Sequence, residues 1–215
     1  GLFTRAHAYA ATGRPAEAER DFRAVLERKS QLQYNLATPY SHVGLARALA
    51  ANNDGTFAWE LSPVKIAGRQ GATVSDKDEQ PAKAMPDKIP LLKPAFRKDG
   101  TVTAANSSSI SDGGAALVLM RRSTAERRGL APLAVIVGHA THAQEPGLFT
   151  TAPVGAIEKL YRKTGWTTKG VDLFEVNEAF AVVTMAAMKE HGIAHEQVNV
   201  HGGACALGHP IGASG

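Results

Sequence analysis

Residues 171–200 read VDLFEVNEAFAVVTMAAMKEHGIAHEQVNV, and this stretch decides the fold class. Residues 171–176 and 198–200 are largely apolar and rich in valine, which is typical of strands buried on both faces. Between them, residues 178–192 are apolar enough and long enough to form a helix. A strand, a helix and a second strand in this order form one unit of a mainly parallel sheet covered by helices. The sequence therefore predicts an α/β fold.

The same alternation extends upstream of this stretch. Residues 115–120 (AALVLM) and 133–138 (LAVIVG) have the composition of buried strands. Residues 123–129 and 155–165 each follow one of these segments and have the pattern of helices. We therefore expect a regular α/β region over residues 112–215.

The ends of the predicted strands indicate where a ligand site would lie. In open α/β sheets, ligands bind beyond the carboxyl ends of the strands. Asn177 directly follows the strand at 171–176, and His209 lies in the glycine-rich tail after the strand at 198–200. Asn177 is either a helix N-cap or an amide that holds a water or an oxyanion. His209 is either a solvent-facing loop histidine or a group that exchanges protons near neutral pH.

Two neighbours of these residues have simpler interpretations. Cys205 is the only cysteine of the chain, and it could act as a nucleophile if His209 lowered its pKa. Its place between two alanines is more typical of a small buried apolar residue, and we favour that interpretation. Glu178 is expected in the first turn of the helix, where its negative charge favours the helix dipole.

The first half of the chain has a different character. Residues 1–39 are predicted to form a helical hairpin, and residues 40–51 a further helix. Five residues of the hairpin have the spacing of a tetratricopeptide repeat: Tyr9, Gly13, Ala18, Phe22 and Leu26. The hairpin is either a peptide-binding scaffold or an isolated hairpin, because such repeats need about three copies to bury their faces. Residues 52–106 are rich in proline and turn formers, which is typical of an irregular region that carries ligand contacts.

The composition limits the classes of function. The chain of 215 residues has a formal net charge of +4, and its basic residues are interspersed with acids, so we expect no nucleic-acid binding. A diffuse positive charge suits small anionic ligands such as nucleotide-bearing thioesters. No apolar run approaches the roughly 20 residues that span a bilayer, and the histidines show no zinc-ligand spacing. We expect a cytoplasmic protein without a membrane segment or a bound metal.

Several motifs together resemble the thiolase family of CoA-dependent acyltransferases, and acetyl-CoA acetyltransferases in particular. They are VNEAFA at residues 176–181 and NVHGGACALGHPIGASG at 199–215. FAWELSPVKIAGRQG, LLKPAFRKDGTVTAANSSSISDGGAALVLM and EPGLFTTAP precede them in the expected order. The resemblance implies a layered, incomplete thiolase-like α/β fold, preceded by the helical hairpin. It further implies that residues 40–111 form a CoA-binding loop domain, and that 112–215 hold the end of the first half and most of the second.

The resemblance also implies roles for individual residues. Asn177 matches the asparagine that anchors a water in an oxyanion hole, and His209 matches the histidine that activates the nucleophilic cysteine. Four further residues match positions that bind CoA: Ser108, Phe149, Ala179 and Phe180. Acyl-CoA would be a substrate, with no permanently bound cofactor, and the family forms homo-oligomers.

The chain departs from the family pattern at two cysteines, the nucleophile and the acid/base that exchanges a proton with the substrate, and both departures bear on activity. The nucleophilic cysteine of the family lies ahead of the loop domain, where this sequence has the helical hairpin. Cys205 matches a position that is commonly aliphatic in the family. We therefore expect a thiolase-type acyltransferase sequence that is inactive alone. The alternative is a non-catalytic binding protein, in which the hairpin recruits a partner and the thiolase-like part packs against a complete thiolase.

Overall fold

The computed structural model describes residues 14–27, 37–69 and 71–214. Two helices open it, α1 (Pro15–Glu27) and α2 (Ala37–Asp54), and they pack against each other. The proline that begins α1 is favourable there, because the first N–H groups of a helix have no partner within the helix. The second helix agrees with the helix expected at residues 40–51.

Part of the predicted hairpin lies outside the described residues. Residues 1–13, which include Tyr9 and Gly13, and the side chains of Phe22 and Leu26 are among the parts not described. Ala18 is fully buried in α1. The resemblance of residues 1–39 to a tetratricopeptide repeat, and the boundary at residue 40, stay predictions.

The region after α2 is irregular, as its turn-rich sequence predicts. It contains one antiparallel hairpin of two strands, β1 (Val64–Gly68) and β2 (Gly71–Ser75), and every residue of both strands is exposed. Short 3-10 turns make up the other regular pieces of this region: Pro81–Lys83, Pro86–Leu91 and Ala104–Asn106.

Four helices follow in the second half: α3 (Arg122–Arg127), α4 (Ala152–Thr164), α5 (Ala181–His191) and α6 (Ala204–Leu207). The 3-10 turns Pro146–Thr151, Thr168–Gly170 and His195–Gln197 lie between them. Helix α5 ends because Gly192 adopts a left-handed conformation, with φ of 63°, and its N–H bonds to the carbonyl of Met188.

The core of the second half forms around one parallel strand contact. Phe174 donates its N–H to the carbonyl of Gln197 at 2.7 Å, and Asn199 returns an N–H to the carbonyl of Phe174 at 2.9 Å. These bonds make Phe174 and Val198 parallel partners, and both side chains pack with Ile193 in a buried cluster. The parallel contact expected between residues 171–176 and 198–200 is present as this single bridge, and neither segment forms a longer strand.

The two upstream segments differ from the prediction. Residues 115–120 and 133–138 pair with no strand in the part of the chain that the structure describes. Their apolar side chains are exposed; Leu117 is 84% exposed and Leu133 is 90% exposed. A strand is defined by its hydrogen-bonded neighbour, and apolar composition alone does not supply one. The fold is of the α/β class, but among the predicted parallel strands only the Phe174–Val198 contact is formed in the described residues.

Helix α5 begins later than its sequence pattern indicates. The pattern predicts a helix from residue 178, whereas the helix starts at Ala181. Phe180 is extended and forms an antiparallel bridge with Ser107, and the Glu178 side chain is buried among hydrogen-bond donors. These tertiary contacts hold the three residues before Ala181 out of the helix.

Arg47 joins α1 and α2 to the second half of the chain. Its side chain is nearly fully buried, and its Nε donates to Glu19 of α1 at 3.0 Å. Nη1 donates to the carbonyl of Val198 at 2.7 Å, and Nη2 to the carbonyl of His195 at 3.3 Å. Arg23 adds an ion pair between α1 and Glu196 at 2.5 Å. One buried guanidinium therefore connects three separate parts of the chain.

The same junction makes stability depend on pH. Burial, and then the positive charges of Arg47 and Arg23, lower the pKa of His195 to about 4 from its usual 6.5. The unfolded chain therefore binds a proton that the folded chain does not bind between pH 6.5 and 4. The free energy of unfolding should fall by about 1–3 kcal/mol as the pH drops through this window. Above pH 6.5, His195 should cause no further change in stability. Urea titrations between pH 7 and 4 measure it.

His195→Asn is the matched variant for this prediction. An asparagine oxygen can accept the hydrogen bond that Arg47 Nη2 shares with the His195 Nδ1 at 3.3 Å, but the amide does not titrate. The variant should lose stability less steeply below pH 6.5 than the parent protein, and exposed His139→Asn should keep the parent slope. Equal slopes for His195→Asn and the parent would contradict the prediction.

Among the described residues, no helix combines the length and the apolar character that crossing a membrane requires.

Candidate active site

The two residues singled out at the strand ends lie side by side. The Asn177 Nδ2 and the His209 Nε2 are 3.3 Å apart. The other ring nitrogen of His209 lies 2.5 Å from the Ser214 hydroxyl oxygen, so both sides of the ring have a neighbour. The N-cap of α5 is Phe180, so the alternative interpretation of Asn177 as an N-cap is wrong. The pair combines an amide donor with a group that can exchange a proton.

A serine-rich segment lies against both strand ends. The backbone N–H and the hydroxyl of Ser108 both donate to the carbonyl of Ala179, at 3.1 and 3.3 Å. The His209 N–H donates to the carbonyl of Ser109 at 2.9 Å. These bonds place Ser108 and Ala179, which the resemblance assigns to CoA binding, next to the segment that carries His209.

Aromatic rings form a second side of this region. The ring of Phe180 lies 6.3 Å from that of Phe149 and 5.9 Å from that of Phe96. Phe149 remains 52% exposed, so a ligand can reach the cluster from solvent. The structure thus brings together Phe149 and Phe180, which were both predicted to bind CoA. It adds Phe96, which was not predicted from the sequence. Its only signal was an aromatic residue in the proline-rich region, which by itself carries little information.

Cys205 does not pair with the histidine. Its thiol contacts the carbonyl oxygen of Glu178, 3.8 Å away. Burial, and then the nearby carboxylate of Glu178, raise the pKa of the Cys205 thiol. Both effects disfavour the thiolate, which is the nucleophilic form. The geometry agrees with the interpretation of Cys205 as a small packing residue, although it is partly rather than fully buried against Tyr40 and Ala181.

Glu178 differs most from its prediction. It does not lie in the first turn of α5, and its side chain is only 1% exposed. Its carboxylate accepts hydrogen bonds from the Tyr40 hydroxyl at 3.0 Å, the Asn199 side-chain amide at 2.8 Å and the Cys205 N–H at 3.0 Å. No local sequence pattern marks such a cluster, because its donors lie far from Glu178 along the chain.

The described residues contain no group of three or more His, Cys, Asp or Glu side chains arranged to hold a metal ion. The candidate site therefore consists of the Asn177–His209 pair, the serine segment at residues 107–110 and the phenylalanine cluster.

Family models for both domains of one enzyme family match this chain. The model of the thiolase N-terminal domain matches residues 28–123, and the model of the thiolase C-terminal domain matches residues 130–215. The first match begins inside the segment 1–39, for which the sequence predicts a separate hairpin. The two matches follow each other in chain order.

Curated relatives of this chain are named acetyl-CoA acetyltransferases. The chain is 47% identical over 190 residues to acetyl-CoA acetyltransferase 2 of Arabidopsis thaliana, covering 87% of this chain and 47% of that protein. It is 51% identical over 170 residues to a probable acetyl-CoA acetyltransferase of Dictyostelium discoideum, covering 79% of this chain and 41% of the relative. A cytosolic acetyl-CoA acetyltransferase of Mus musculus is 47% identical over 172 residues, covering 79% and 43%.

The fold is similar to those of a solved acetyl-CoA acetyltransferase and a solved thiolase. The Bacillus anthracis acetyl-CoA acetyltransferase superposes with a TM-score of 0.78 at 38% identity, covering 90% of this chain and 49% of that one. The Acat5 thiolase of Ascaris suum, solved in complex with coenzyme A, gives a TM-score of 0.72 at 35% identity, covering 83% and 46%. The chain thus spans about half the length of the relatives that it matches. With both domain models matched in order and the fold shared with solved thiolases, the chain belongs to the thiolase family of enzymes.

Proposed function

We propose that this chain forms the CoA-binding and histidine–asparagine part of a thiolase-type acyltransferase. The reaction is the condensation of two acyl-CoA molecules, acetyl-CoA to acetoacetyl-CoA, or the reverse thiolysis. The observation that carries the proposal is the 3.3 Å approach of the Asn177 amide to the His209 ring at the ends of two paired segments. The names of the relatives, all acetyl-CoA acetyltransferases, support this substrate class.

The proposed roles follow from the chemistry of each group. The Asn177 amide can donate a hydrogen bond to a thioester oxygen, or to a water that does so, as negative charge develops there. The His209 imidazole can move a proton at its Nε2, next to the same position. The phenylalanine cluster offers an apolar wall to the pantetheine arm of CoA, and Ser108 and Ala179 lie beside it. Acyl-CoA is then the substrate, and no cofactor stays bound.

The nucleophile is not among the groups that this site assembles. A thiolase of the kind that the resemblance implies forms an acyl intermediate on a cysteine, and Cys205 is the only cysteine of the sequence. Its partly buried thiol contacts Glu178 rather than His209. We propose that the 215 residues alone bind CoA and turn nothing over.

A binding experiment tests this proposal directly. Titration calorimetry of the purified chain with CoA should detect weak binding. Phe149→Ala should weaken this binding about tenfold, because truncating an aromatic contact with the ligand costs about 1–2 kcal/mol. Acetoacetyl-CoA incubated with CoA and the chain should not be consumed.

Trp166→Ala is the matched control for the binding experiment. Trp166 is a half-exposed aromatic residue in the turn after α4, outside the phenylalanine cluster. The control should bind CoA as the parent does. If Phe149→Ala and the parent bind CoA with equal affinity, the binding proposal is contradicted. If the parent consumes acetoacetyl-CoA and His209→Ala does not, the proposal of inactivity is contradicted.

One observation favours a second candidate function, a non-catalytic binding protein. The apolar segments 115–120 and 133–138 are exposed and pair with no strand in the described part of the chain. Large exposed apolar surfaces are typical of protein contacts, and a complete thiolase would be the partner. A partner that binds the chain and is released when Leu117 and Leu133 are changed to Lys would favour this function.

Two further properties are proposed on the resemblance. We place the protein in the cytoplasm, which the cytosolic mouse relative supports. We also propose the homo-oligomeric assembly that the family resemblance implies. Neither nucleic acid nor a membrane is a proposed partner, because the charge distribution and hydropathy of the sequence favour neither.

A further inference from the structure

A buried carboxylate lies directly behind the Asn177–His209 pair. Glu178 adjoins Asn177 in sequence, and its carboxylate contacts three different parts of the chain. Tyr40 reaches it from α2, Asn199 from the turn after Val198, and Cys205 from α6. At 1% exposure, this carboxylate cannot itself contact a ligand in the open site.

The partners of Glu178 all act as donors. The Oε1 atom accepts from a hydroxyl and an amide NH2, and the Oε2 atom accepts from a backbone N–H. A carboxylate can accept at both oxygens and therefore satisfies this set of donors. Hydrogen bonds to a charged group are stronger than those between neutral groups.

The geometry of Gly203 shows that this space is reserved for the carboxylate. A Cβ atom on Gly203 would lie 2.2 Å from the Glu178 Cδ and 2.3 Å from its Oε1. The backbone at the start of α6 is therefore pressed against the carboxylate. Any other residue at this position would displace it.

The hydrogen bonds around Glu178 determine where Asn177 and His209 lie. The Asn199 side chain accepts the Val176 N–H at 2.8 Å and donates to the Val176 carbonyl at 2.9 Å, which holds the backbone just before Asn177. Glu178 holds the backbone just after it. The Cys205 N–H ties the same carboxylate to α6, which ends one residue before Gly208 and two before His209.

We propose that Glu178 is a positioning residue: its carboxylate holds α6 against the end of the strand and so keeps His209 within reach of the Asn177 amide. The significance of this pairing for catalysis rests on the proposed function. The positioning itself rests only on the contacts of the carboxylate.

Glu178→Gln tests the proposal with little change of shape. The glutamine oxygen can accept from only one side of the cluster, so its NH2 group must face either the Cys205 N–H or the Tyr40 and Asn199 donors. We expect the nuclear Overhauser contact between the Asn177 side-chain amide and the His209 ring to be lost. The contact between Phe174 and Val198, recorded in the same spectrum, should remain and show that the core is intact.

Glu175→Gln is the matched control. Glu175 lies three residues before Glu178 in the same segment, and its side chain is exposed. This variant should keep the contact between Asn177 and His209. If Glu178→Gln also keeps that contact, the proposal is overturned.

A measurement on the unaltered protein covers the case in which Glu178→Gln does not fold. The Cys205 and Thr56 N–H groups both donate to a carboxylate, at 3.0 and 2.9 Å, but Thr56 does so at the surface. The Cys205 amide should exchange with solvent as slowly as the buried Asn199 amide and far more slowly than the Thr56 amide. Exchange of Cys205 at the rate of Thr56 would overturn the proposal.

The CoA titration separates this inference from the proposed function. If Glu178→Gln separates Asn177 from His209 while the parent chain binds no CoA, the positioning role stands and the proposed function falls. If CoA binds and Glu178→Gln leaves the pair in contact, only the positioning role falls.

Discussion

Gly203→Ala is expected to lower the free energy of unfolding by about 3–5 kcal/mol. The new methyl group would lie 2.2–2.4 Å from the carboxyl atoms of Glu178, well inside contact distance. The carboxylate cannot simply move, because Tyr40, Asn199 and Cys205 hold it by hydrogen bonds. Moving it would leave a buried charge without its donors. Urea denaturation followed by circular dichroism measures the change.

Gly212→Ala is the control in the same glycine-rich tail. A Cβ at Gly212 would have no atom within 4 Å, and its backbone does not lie in the left-handed region. This variant should change the free energy of unfolding by less than about 0.5 kcal/mol. If Gly203→Ala changed the free energy of unfolding as little as Gly212→Ala, this would contradict the close packing of the Gly203 backbone against Glu178.

Arg47→Ala should lower the free energy of unfolding by about 3–5 kcal/mol, for a different reason. Arg47 is only 5% exposed, and its loss would leave the carbonyl of Val198 without its donor and would remove one of the two arginines that pair with Glu19. The contact of α1 with the second half of the chain would weaken as well. Arg47→Lys should recover little, because one ammonium cannot reproduce the planar set of guanidinium donors. The same urea titration measures both variants.

Arg122→Ala provides the comparison for an exposed arginine. Its side chain is 73% exposed and pairs with Glu126 at 3.1 Å on one face of α3. Pairs of this kind contribute less than about 0.5 kcal/mol. A loss for Arg47→Ala as small as that for Arg122→Ala would show that the buried junction does not stabilise the protein.

Much of the local structure could be read from the sequence because its signals are local. The apolar spacing predicts α2 and α4, and the glycine after His191 predicts the end of α5. The apolar composition of residues 171–176 and 198–200 predicts the strand contact that Phe174 and Val198 make. The placement of Asn177 and His209 at one edge also follows from these elements, because the ends of parallel strands meet there.

The remaining features depend on residues far apart in the chain. Residues 115–120 have the composition of a strand, but strand pairing needs a neighbour that composition does not identify. By its sequence position, Glu178 is expected in the first turn of a helix, but the donors around its buried carboxylate lie 21 to 138 residues away.

By itself, therefore, the sequence determined the family, the longer helices and the edge at which the candidate site lies. Only the tertiary structure decided that Glu178 is buried behind the pair and that Arg47 joins α1 to residues 195–199. The physical reason is that periodicity records which face of an element is apolar, whereas a buried charge is stable only where distant donors or acceptors converge on it.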